Sequence, residues 1–196
     1  MFFLQAAAKH VTDWLVQGGG IAEKDREVYE FGLDNFFSTL VNFIIIVCLG
    51  LLLGIVVESI VFYITYFALR VYAGGYHADK PATCFFISII IIIPCLLAIR
   101  FQQVWNIPDV SFALLVGAIA VLVLIVPVEN KNKMLDALEK VVYRRRLLRN
   151  LAIATVAMII LFALSFHKYS AAVLCGILLS MLIAVAGKIK LFLEAD

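Results

Sequence analysis

Arg70-Val71-Tyr72-Ala73-Gly74-Gly75-Tyr76-His77-Ala78-Asp79-Lys80-Pro81-Ala82-Thr83-Cys84 is the one polar, glycine-punctuated stretch between two long apolar runs, Phe36–Leu69 and Phe85–Ile99. Its position decides the architecture. The run before it holds 34 residues with a single charge, Glu58. About 20 apolar residues cross a bilayer, so this run must cross, turn and cross again. Gly50 and Gly54 are the breakers available for the turn. The reading gives spans at about 34–52 and 55–73, and the chain re-enters as a third span at about 82–99.

Composition agrees with that reading. The 196 residues are 64% hydrophobic and 15% charged, and mean hydropathy is +1.05. A soluble domain is nearer 45–50% apolar and about 25% charged. The fold class expected is an all-α integral membrane protein of about six transmembrane helices in a single membrane domain. No polar stretch is long enough to bury a core of its own. Met1-Phe2-Phe3-Leu4 lacks the charged region and cleavage pattern of a signal peptide. Cys48, Cys84, Cys95 and Cys175 show no paired spacing. No disulfide framework, metal site or cofactor is therefore expected, and no nucleic-acid partner.

Within the polar stretch, His77 and Cys84 are the two side chains of a cysteine nucleophile and its base. On one continuous helix they would lie about 10.5 Å apart along the axis, too far for proton transfer. Gly74-Gly75 lets the chain turn, and Pro81 pushes Lys80 out of the helical region. Pro81 suits the first turn of a new helix. Cys84 then sits near unpaired N–H groups and the positive dipole end, both of which lower a thiol pKa. The bland alternatives are an interfacial histidine and an inert cysteine at a helix start.

The pattern Arg70-x-x-x-Gly74-Gly75-x-His77-Ala78, with Cys84 seven residues after the histidine, resembles the accessory gene regulator B family. The resemblance covers nearly the whole chain. It implies an integral-membrane cysteine endopeptidase that processes the propeptide of a bacterial quorum-sensing signal, with His77 as general base and Cys84 as nucleophile. It also implies a location in the bacterial plasma membrane and a precursor peptide as partner. An internal cysteine or serine of that peptide would then capture the acyl-enzyme to close a thiolactone or lactone. Pro127…Asn130-Lys131-Asn132-Lys133 is similar to the family's corresponding loop, with Met134 where a proline is common.

Away from the motif, residues 1–17 read as an amphipathic helix, with Phe3, Leu4, Ala7, Val11, Trp14 and Leu15 at helical spacing. It would lie in the membrane interface or pack on the protein's own surface. Further spans fall at about 111–128, 151–166 and 170–187, with a basic loop over 129–150. With the N-terminus inside, fourteen of the sixteen Lys and Arg residues are cytoplasmic, a strong positive-inside signal. The motif then faces the reducing side, as a nucleophilic thiol requires.

The loop reads either as a topogenic cluster attracted to anionic lipids or as a dock for an acidic peptide tail. In the second reading Arg70, Lys80, Lys131 and Lys133 bind substrate. Gly74, Gly75 and Glu58 are candidates for support, although Glu58 reads equally as interfacial. A homodimer is left open. The rival classes are a small transporter and a non-catalytic adaptor. Against the transporter, the spans carry almost no charge and no corresponding broken helices.

Overall fold

The computed structural model describes residues 2–76, 81–105, 107–128 and 136–193, with side chains from residue 5 onward except 81–86. Seven α-helices occur among the described residues: α1 Phe2–Gln17, α2 Arg26–Leu53, α3 Val56–Ala73, α4 Pro81–Arg100, α5 Pro108–Ile125, α6 Ala137–Ala163 and α7 His167–Leu193. Five helical segments, those of α2, α3, α5, α6 and α7, are long and apolar enough to cross a membrane. The described side chains of α4 make a shorter apolar helix, Ile87–Arg100. The protein is an all-α membrane protein.

The bundle is organised around α7. Of its most apolar window 67% is buried, against 11–28% for the corresponding windows of the other four. Those four present leucines and isoleucines such as Leu52, Ile64 and Leu124 outward, as lipid-facing helices do. In lipid, helices associate by close packing rather than by expulsion of water, and α7 supplies the small residues this needs. Ala172, Gly176, Ser180 and Ala184 recur at every fourth position and are buried. A Cβ on Gly176 would lie 2.9 Å from Thr65 Cβ and 3.1 Å from the Phe62 carbonyl oxygen of α3. Ser180 Oγ donates to the Gly176 carbonyl at 2.8 Å.

Two buried clusters flank this helix pair. Leu69, Leu122, Leu147, Leu174 and Ile177 join α3, α5, α6 and α7. Ile46, Phe62, Leu96 and Leu179 join α2, α3, α4 and α7.

The first amphipathic segment packs on the protein. Ala8 and Thr12 of α1 are fully buried, and Asp13 pairs with Arg26 at the start of α2. Trp14 stays 70% exposed, which leaves an aromatic edge turned away from α2. The turn between α2 and α3 falls at Gly54, whose N–H reaches the Leu51 carbonyl at 3.2 Å.

The sequence reading needs correction at the basic loop. Residues 137–150 are helical, the first half of a continuous α6. The cause is a capping box: the Glu139 N–H donates to Asp136 Oδ1 at 2.6 Å, and the Asp136 N–H to Glu139 Oε2 at 3.2 Å. At 27 residues α6 is about 40 Å long, roughly 10 Å more than the hydrocarbon core. Its basic half docks on neighbouring helix ends. Arg144 donates to the Val123 carbonyl of α5, Asn150 to the Ala68 carbonyl of α3, and the Arg146 guanidinium lies 5.7 Å from the Tyr72 ring centroid. Most described basic residues therefore gather at one end of the bundle, the end at which α3 finishes. Arg100 and Lys168 lie at the other ends of their helices.

Candidate active site

At that end α3 stops at Ala73, and the next three residues run extended between α7 and the segment after α5. Gly74 has φ 68° and Gly75 φ 118°, values that side-chain-bearing residues rarely adopt. Gly74 forms an isolated parallel bridge with Val128, and the Val128 N–H donates to the Ala73 carbonyl at 2.9 Å. On the other side the Tyr76 N–H donates to the Ile183 carbonyl of α7 at 3.0 Å.

Space as well as conformation excludes side chains here. A Cβ on Gly74 would fall on the Val128 carbonyl oxygen, and one on Gly75 would lie 2.6 Å from the Ile183 carbonyl oxygen. A third glycine completes the slot. A Cβ on Gly187, within α7, would fall on the Gly75 backbone and lie 2.5 Å from Tyr76 N.

Arg70, in the last turn of α3, braces the strand. Its Nη1 donates to the Gly74 carbonyl and its Nη2 to the Tyr76 carbonyl, the latter at 3.0 Å. Charge-assisted bonds of this kind are stronger than neutral ones, and a helix-end arginine satisfies carbonyls that the helix itself cannot. Arg70 was expected to bind substrate. In the structure its fork holds the residue that precedes His77. Above the Tyr76 ring lies Lys190 Nζ, 5.3 Å from the centroid, within cation–π range.

Of the other expected site residues, Cys84 belongs to the first turn of α4, four residues before Ser88, and its side chain lies outside the described set. His77, Lys80, Lys131 and Lys133 lie outside the described residues. Glu58 is in the first turn of α3, twelve residues or about 18 Å along the helix from Arg70. It is buried near the opposite end, so it does not join Arg70, Gly74 and Gly75. Among the described residues no cluster of metal-ligating side chains occurs. Gly187, Tyr76 and Lys190 complete the constellation. Their signal in the sequence was slight: a tyrosine inside the motif, and a glycine and a lysine at the end of an apolar run.

Beside the braced strand lies a cavity of about 570 Å³. Arg70 and Tyr76 line it from the motif side, and Ile87 and Ser88 line it from α4. The residue before His77 and residues within one turn of Cys84 thus border one space. Its remaining walls are mostly apolar and come from α2, α3, α7 and the next turn of α4.

Comparison with known proteins assigns the chain to a family. The family model of accessory gene regulator B matches residues 8–187. A putative AgrB-like protein of Clostridium perfringens is 26% identical over 169 residues, covering 82% of this chain and 78% of the relative. The accessory gene regulator protein B of Staphylococcus carnosus is 35% identical over 72 residues, 35% of this chain and 38% of that one. Protein FsrB of Enterococcus faecalis is 29% identical over 119 residues, 57% and 48% of the two chains. No solved structure matches the chain. With a helical membrane bundle and a family match over nearly its full length, the chain belongs to the accessory gene regulator B family.

Proposed function

We propose that this protein is a membrane-embedded cysteine endopeptidase that cleaves a small quorum-sensing propeptide, with Cys84 as nucleophile and His77 as base. One observation carries the reading: Tyr76, next to His77, and Ser88, one turn beyond Cys84, line the same cavity. The sequence neighbours of both residues thus border one space, which supports a reading in which the two act together.

The chemistry follows from the residue types. His77 takes the Cys84 proton, and the thiolate adds to the scissile carbonyl. Backbone N–H groups in the first turn of α4 suit the developing oxyanion. The C–N bond breaks, His77 returns the proton to the leaving amine, and a thioester remains on Cys84. A thiol or hydroxyl within the bound peptide then attacks the thioester. It forms the ring ester or thioester and gives its proton, through His77, to the departing Cys84 thiolate. With a thiol the second step exchanges one thioester for another, so no external energy source is required. Water must be kept from the acyl-enzyme, and the apolar walls serve that end.

His77→Ala is expected to lower kcat by about 10²–10⁴-fold, the usual worth of general acid–base catalysis, while peptide binding persists. A general base acts only when unprotonated, so activity should fall as the medium is made more acidic. Unchanged cleavage by the variant would show that another group activates the thiol.

The basic end of the bundle suits an acidic tail on the leaving side of the peptide. Lys131→Glu with Lys133→Glu should raise KM several-fold with little change in kcat, the pattern of a lost ground-state contact. Salt should act in the same direction, since screening at 0.1 M has a range of about 10 Å. Identical salt responses for acidic and neutralised tails would assign these charges to membrane topology and lipid binding alone.

A further inference from the structure

The cavity beside the motif has a feature that neither the family nor the proposed reaction assigns. Asn42 of α2 is among its lining residues. Its Oδ1 is buried and has no hydrogen-bond partner among the described residues. Buried polar atoms nearly always have a partner, so this oxygen awaits a donor. The surrounding walls are Tyr63 and Phe67 of α3, Ile91 of α4, and Leu179 and Ile183 of α7. Tyr63 Oη is itself committed to the Thr39 carbonyl at 3.2 Å. At about 570 Å³ the space lies within the range of about 300–1,000 Å³ typical of ligand pockets. It is an apolar pocket with one acceptor left over.

We propose that this cavity is the subsite for the acyl side of the cleaved peptide. It takes a large apolar or aromatic side chain from the residue just before the scissile bond, and Asn42 Oδ1 accepts a hydrogen bond from that segment's backbone N–H. The inference rests on the reading of Cys84 as nucleophile.

Three arguments select the acyl side. After cleavage the C-terminal fragment leaves, whereas the acyl part must stay bound until it is captured, so retention has to come from contacts on that side. The cavity is apolar, and burying the charges of an acidic leaving segment in it would be costly. Reach also fits: Ser88 is one turn, about 6 Å along the axis, from Cys84, and one to two extended residues span about 3.5–7 Å.

The test needs no knowledge of the natural precursor. Acetyl-Gly-Xaa-chloromethyl ketones, with Xaa as Phe, Leu, Ala or Asp, place a chosen acyl-side residue next to a carbon that a thiolate attacks with loss of chloride. The measurement is the rate of thioether formation on Cys84, followed by mass spectrometry of the full-length protein in detergent. The Phe and Leu probes should react about tenfold or more faster than the Ala probe, the discrimination an apolar pocket provides, and the Asp probe slowest. Ile91→Trp, which fills the cavity, should bring the Phe rate down toward the Ala rate. Asn42→Leu should slow all four probes together, since each offers the same backbone N–H.

Equal rates for all four probes on the native protein overturn the subsite while leaving Cys84 as nucleophile. No thioether on Cys84 with any probe removes the reading beneath it as well. A bound phospholipid displaced by Ile91→Trp, with probe rates unmoved, would assign the cavity to a lipid chain and overturn the proposal.

Discussion

Cys84→Ala is expected to reduce propeptide cleavage by about 10⁴-fold or more, the scale seen when the nucleophile of a cooperative catalytic group is removed. The thioester should vanish with it. Intact-mass spectrometry of the native protein with its peptide should show an acyl adduct, and peptide mapping should assign it to Cys84. The other cysteines serve as internal controls. Cys48, Cys95 and Cys175 are free thiols, and Cys175 is buried within α7, so none offers an activated thiol at a helix start. Cys84→Ser should be nearly as inactive as the alanine variant. A cysteine thiol ionises near pH 8.5 and lower at a helix start, whereas an alcohol does not ionise there. Comparable cleavage by Cys84→Ala would sink the cysteine-peptidase reading outright.

The second large effect is expected far from the motif in sequence. Gly187→Ala places a methyl group on the Gly75 backbone and 2.5 Å from Tyr76 N. Backbone cannot rotate away as a side chain can, so the strand or α7 must shift. A displacement of about 1 Å in a positioning element can cost about 10²-fold in rate, and overpacking typically costs about 1–3 kcal/mol of stability. The matched control is Gly117→Ala in α5, where an added methyl meets nothing within 4 Å. Helix propensity alone favours alanine over glycine by about 1 kcal/mol, so that variant should be neutral or slightly stabilised. Cleavage rate and thermal midpoint in detergent check both. Equal behaviour of the two variants would mean that Gly187 does not shape the site.

The contrast between these glycines marks where the sequence was legible and where it was not. Apolar runs, glycine breaks and the proline at residue 81 locate helices because hydropathy and turn chemistry are local properties. The helical first half of α6 is also local, signalled by Asp136-x-x-Glu139. Its six Lys, Arg and Glu residues between 139 and 149 nevertheless read as a loop, because a charged stretch between two apolar runs looks like a connection. The slot that holds Gly74 and Gly75 is different in kind. It depends on Val128, Ile183 and Gly187, up to 112 residues further along the chain, and no spacing rule joins them. Arg70 shows a similar limit. A basic residue beside a presumed catalytic pair suggests an anion site, and only the direction of its fork reveals that it holds carbonyls of the motif. Asn42 looked like any polar residue in an apolar run until its neighbours were placed.

The hydrogen bond between the Tyr76 N–H and the Ile183 carbonyl also sets a depth. Lys188 and Lys190 end the apolar part of α7, and lysines at the ends of membrane helices reach to headgroup level. Ile183 lies five residues inside Lys188, about 7.5 Å along the helix axis. With those lysines at the headgroups, the backbone leading to His77 would be moored just beneath them, in the layer where water thins out and hydrocarbon begins. On the proposed function, a peptide would have to enter that layer before it could be cut. Partitioning into the membrane would then be the first act of recognition, and the concentration reached there, rather than that in the aqueous phase, would govern how fast the signal is made.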